Sequence, residues 1–124
     1  MPILVKRLEE CPQFVAGDHT RLRELVHPRN DPAPLHYSIA HATLAPGESS
    51  LPHSLASSEV YHILSGQGIM HVNGEEVEIH PGDTIYVPPH ALQHIRNTGP
   101  TTLAFLCIVE PAWREEDEIV KRET

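Results

Sequence analysis

The chemistry in this sequence rests mostly on imidazole and carboxyl groups. Ten histidines are spread over 124 residues, a density that raises the prospect of a metal site without locating one. The two cysteines, Cys11 and Cys107, have no paired spacing, so neither a disulfide framework nor a zinc knuckle is expected. Cys107 lies in apolar text and reads as an inert buried thiol. His53 and Glu59 fall in one stretch of turn and strand text between Gly47 and Gly66. An imidazole nitrogen with a carboxylate oxygen suits manganese, iron, nickel, copper or zinc. The same two groups can instead hydrogen-bond each other in a polar pocket. His19, His27, His80, His90 and His94 read as surface or turn residues.

The elements that must position these groups are short strands. Twelve prolines and seven glycines punctuate a chain with few good helix runs, which points to many turns. Phe14-Val15-Ala16 before Gly17-Asp18, and then Thr20 to Val26, read as two strands. Pro28, Asp31, Pro32 and Pro34 break the chain after them. From His36 onward strand and turn alternate. The predicted strands are 36–44, 59–64, 68–72, 75–80, 84–87, 92–96 and 101–109, and Asn73-Gly74 is the strongest hairpin signal. The run 101–109 is apolar almost throughout, as in a strand buried on both faces. Turn signals at this spacing belong to a sandwich or barrel. Pro111, the acids after it and the closing Lys121-Arg122 predict a short C-terminal helix, with a solvated tail as the open alternative.

Length allows one domain and not two. The net charge of −8, partly from Glu115-Glu116-Asp117-Glu118, argues against a nucleic-acid partner, whose phosphates require Lys and Arg. The start, MPILVKRLEE, turns charged after five residues, and no apolar run is long enough for a signal peptide or a membrane span. A cytoplasmic location with free thiols is expected.

Two stretches resemble the motifs of the cupin superfamily. In that family the first motif is Gly, five residues, His-x-His, three or four residues, Glu, six residues, Gly. Here Gly47, His53, Glu59 and Gly66 keep every spacing, and Leu55 stands at the second histidine. The second motif is Gly, five residues, Pro-x-Gly, two residues, His, three residues, Asn. Gly82, Pro88 and Asn97 keep register, while His90 replaces the glycine and Gln93 the histidine. His94 is one residue out of register, and alternation along a strand turns it outward if Gln93 points in.

The resemblance implies an all-β fold, a double-stranded β-helix jelly-roll barrel with the short C-terminal helix. Residues 1–35 would be an arm packing on or swapping with the barrel, 36–110 the barrel, and 111–124 the helix or tail. It also implies that residues 53, 55, 59, 61, 93 and 95 face one pocket. His53, Glu59 and Gln93 would be the metal-ligating positions, and Leu55, Tyr61 and Ile95 would line the pocket. In the family three histidines and a glutamate hold a divalent metal. One histidine, one glutamate and one amide bind transition metals less tightly and lean toward harder cations, unless His36 or His41 completes the shell. A divalent metal (manganese, iron, zinc or nickel) is therefore a candidate cofactor, and a small molecule the expected partner. Three functions stay open: a metal-dependent enzyme of dioxygenase, isomerase or decarboxylase type acting on small acids or sugars; a metal-free binding module for a small polar ligand; and a degenerate barrel kept for packing. Family members of this size often pair, so a homodimer is expected.

Overall fold

The computed structural model describes residues 3–121. Eleven strands run in chain order: β1 Gln13–Val15, β2 Arg21–Val26, β3 Ser38–Leu44, β4 His53–Leu55, β5 Ser58–Ser65, β6 Gly68–Val72, β7 Glu75–Ile79, β8 Thr84–Val87, β9 Gln93–Asn97, β10 Leu103–Glu110 and β11 Glu118–Val120. They form two sheets, in the orders β1-β2-β3-β10-β5-β8 and β11-β4-β9-β6-β7, and every pairing is antiparallel. The inner faces of the two sheets close on each other as a jelly-roll barrel.

Period-two alternation decides what the barrel holds. On β10, Leu103, Phe105, Cys107 and Val109 are buried, while Ala104, Leu106 and Ile108 are half-covered. The apolar run is thus one-sided, and its outer residues are shaded by neighbours such as His41 and His62, both paired with Leu106. One end of the barrel is packed solid by Leu44, Ile63, Met70, Ile95, Leu103 and Phe105, each at most 1% exposed.

The turns do what their residues predict. Asn73 and Gly74 both take positive φ, 49° and 85°, as a two-residue hairpin requires. The Asn73 side chain also accepts the Leu92 N–H at 2.9 Å. Asn97 closes the second motif as a structural residue. Its amide donates to the carbonyls of Leu44 and Thr101 and its oxygen accepts the Gly99 N–H, so this buried side chain is satisfied. His90 stands at a left-handed position, φ 68°, where the family pattern has glycine. A side chain there carries backbone strain of roughly 1 kcal/mol. His90→Gly is expected to raise stability by up to about 0.5 kcal/mol, after the entropy cost of glycine is set against the relieved strain. An unchanged or lower urea midpoint would mean that the turn tolerates histidine freely.

Two expectations change. The C-terminal helix is absent among the described residues: Glu115–Asp117 make one 3-10 turn and Glu118–Val120 a strand on β4. Arg114 grips Asp117 through two hydrogen bonds of 2.9 Å, and Ile119 and Val120, β-branched, suit the strand that follows. Residues 122–124 of the expected helix lie outside the described residues. His27, read as a turn residue, is buried at 5% exposure. Its Nε2–H donates to the Trp113 carbonyl at 2.7 Å and its Nδ1 accepts the Arg29 N–H, so both ring nitrogens are used. Residues 13–26 form a hairpin on the edge of the first sheet through β3.

Candidate functional site

The end of the barrel opposite the packed core is hollow. Its cavity measures about 150 Å³, comparable to a cavity that accepts benzene. Each strand enters it by the same alternation that fills the core. Beyond Phe105, β10 contributes Cys107 and Val109; β5 contributes Tyr61 and Glu59; β4 contributes His53 and Leu55; β9 contributes Ile95. All of these are buried. Gln93, 1% exposed, joins them through Tyr61, whose hydroxyl donates to Gln93 Oε1 across the barrel at 2.5 Å. Five of the six residues expected to share a pocket face line the cavity; Gln93 does not, and is linked to them by the Tyr61 hydrogen bond. His94 points outward as parity requires, and its ring stacks on His71 at 3.9 Å between centroids. His36 and His41 are not among the lining residues.

Glu59 is the unusual group. Its strand neighbours in register are Val109 on one side and Val87 on the other. It is 5% exposed, and Oε1 has no hydrogen-bond partner among the described residues. Loss of water pushes its carboxyl up to about 7; His53 pulls it down, Asp18 pushes it further up, and the Cys107 thiol and Gln93 amide favour the ionised form. The carboxyl in turn helps hold the neighbouring thiol and phenol protonated. Cys107 and Tyr61 are both raised well above their ordinary values, by burial first and then by Glu59.

His53 is fixed by backbone. Its Nδ1 lies 3.0 Å from the Leu51 carbonyl. A carbonyl only accepts, so the proton sits on Nδ1 and leaves Nε2 as the ring nitrogen for a ligand. Asp18 Oδ2 is 3.8 Å from the same Nδ1.

Asp18 and Glu118 were not legible as site residues. Asp18 sits in the β1–β2 turn, where its Oδ1 accepts the N–H and hydroxyl of Thr20. Its carbonyl accepts the Leu51 N–H at 2.7 Å, which ties the turn to the segment before β4. Glu118 pairs with Leu55 in register, and its carboxyl is raised by burial, against the pull of His53 and with a further push from Asp18. In the sequence, Gly17-Asp18 signals a turn, and the charge order around Glu118 is that of a helix.

The donor set does not fit the metal site that the motifs imply. Leu55 offers hydrocarbon at one position. At another, Gln93 offers a neutral carbonyl oxygen already hydrogen-bonded by Tyr61. Among the described residues, no group of three or more His, Cys, Asp or Glu side chains is arranged to hold an ion, and no helix among them is long and apolar enough to cross a membrane.

Residues 40–109 match the family described as Cupin domain. Over 118 residues the chain is 35% identical to an uncharacterized protein of Methanocaldococcus jannaschii, covering 94% of each. It is 38% identical over 72 residues to the oxalate-binding protein of Thermotoga maritima, covering 57% of this chain and 60% of that one. Among solved structures, a predicted oxalate decarboxylase from Thermotoga maritima superposes with a TM-score of 0.78 at 27% identity, over 87% of this chain and 99% of that one.

Proposed function

This chain belongs to the cupin family, and from that premise we propose that its barrel is a binding site for one small organic molecule, held by His53 and Glu59 without an obligatory metal. The observation that carries this reading is the bare Oε1 of Glu59 in a cavity. An unsatisfied buried acceptor costs about 1–3 kcal/mol, and a ligand donor would recover that. The relative named as an oxalate-binding protein supports a small-ligand role for the barrel. A carboxyl near 7 also suits general acid–base work at neutral pH, so an enzymatic role is compatible with the same pocket. The second reading is a divalent metal on His53, Glu59 and Gln93, with water in the open positions. It draws on His53 and Glu59 standing at two of the family's four ligand positions, and Leu55 and the Tyr61–Gln93 bond weigh against it.

The test is thermal unfolding of the purified, untagged chain with a small-molecule panel, before and after chelation. The expected result is that chelation leaves the midpoint unchanged. A ligand at about a hundredfold its Kd then stabilises by roughly 2.7 kcal/mol, an effect lost in His53→Ala. A midpoint that drops on chelation and returns with one equivalent of manganese, iron, zinc or nickel would overturn the metal-independent reading.

A further inference from the structure

The lining of the same cavity says what kind of molecule it takes, and this step rests on the binding reading above. Carboxyl groups from three separate elements converge on one end. Asp18 comes from the β1–β2 turn, Glu59 from β5 and Glu118 from β11, all lining the cavity with His53 among them. Asp18 acts electrostatically on both Glu59 and Glu118. Among the described residues, no lysine or arginine lines the cavity. The described cations that pair with carboxylates do so elsewhere: Lys6 with Asp31, Arg21 with Glu48 and Arg114 with Asp117. The rest of the wall is mostly hydrocarbon, from residues such as Leu22, Phe105, Val109 and Ile95.

We propose that the pocket selects a small molecule with an amine or similarly donor-rich, cationic head on an apolar body of about one six-membered ring, and that it disfavours small organic acids. An anion entering this end would meet the Asp18, Glu59 and Glu118 carboxyls, with Glu24 and His27 also on the cavity wall, and like charges in a poorly solvated site repel strongly. A head carrying N–H donors would satisfy Oε1 of Glu59, which has no hydrogen-bond partner among the described residues. The Asp18 and Glu118 carboxyls stand ready for its charge. The ring would occupy the hydrocarbon wall, in a volume of the right size.

Calorimetric titration of the full chain near neutral pH tests this with benzylamine, benzyl alcohol, benzoate and oxalate. Benzylamine is expected to bind at least about tenfold more tightly than each of the other three. In Glu59→Gln its affinity falls by about tenfold. Tighter binding of benzoate or oxalate overturns the inference and leaves the binding reading standing. Benzylamine binding that Glu59→Gln leaves unchanged places the amine on the acidic surface and also overturns it. Silence from all four probes overturns the amine selectivity, and the ligand panel above then decides the binding reading separately.

Discussion

Phe105→Ala is expected to remove about 4 kcal/mol of stability, within the range for truncating a buried aromatic. Phe105 is 1% exposed and sits where the packed core meets the cavity. It pairs with Ala42 on β3 and Ile63 on β5, and its ring lies 5.5 Å from that of Tyr61, tilted by 32°. Truncation takes away both the transferred surface and the contacts of the neighbours, which strands paired on both sides cannot close over. The thermal midpoint should fall by roughly 15 °C. The void would merge with the existing cavity, so loss of affinity for any ring-bearing ligand should accompany the loss of stability. A change below about 1 kcal/mol would mean that the inner row of β10 is not tightly packed.

Glu59→Gln should gain stability, and only at higher pH. The folded carboxyl is held up to about 7 against an ordinary 4.5. Between those values the folded chain binds more protons than the unfolded one, so stability falls as pH rises. The contribution of Glu59 is fully present below about 4.5 and is lost as pH passes 7. The span corresponds to about 3 kcal/mol. Gln is neutral throughout and imitates the protonated acid. The variant should therefore match the parent near pH 4.5 and exceed it by about 3 kcal/mol near pH 8. The Asp31 and Glu48 carboxyls are held below their usual range by Lys6 and Arg21, so they titrate outside this window. Glu118, also pushed up, leaves a residual slope in both proteins. Parallel stability–pH curves for parent and variant would show that Glu59 is already ionised in the folded chain at neutral pH.

The barrel was legible in the sequence because its signals are local. Turn residues bound each strand: Asn73-Gly74 formed the two-residue hairpin that its residue types demand. Alternation then assigned every strand residue to a face. That is why His53, Leu55, Glu59, Tyr61, Gln93 and Ile95 converge, and why His94 turns out to stack on His71 outside. Elements without such punctuation are not fixed by local signals. The tail has a helix-like charge order, but backbone pairing with β4 made it a strand, because an open edge offers hydrogen bonds that a short isolated helix cannot match.

The electrostatic character of the pocket was decided only by the tertiary structure. Asp18, Glu59 and Glu118 are far apart in the chain, and no spacing rule relates a turn, a central strand and a terminal strand. Glu59 by itself reads as a ligand or a base. Its carboxyl is pushed up, with one oxygen left bare, only because the closed barrel buries it while Asp18 stands nearby. The sequence determined which residues face inward, since that depends on a period of two within one strand. What those residues meet there depends on contacts between strands distant in sequence, and only the closed barrel sets them.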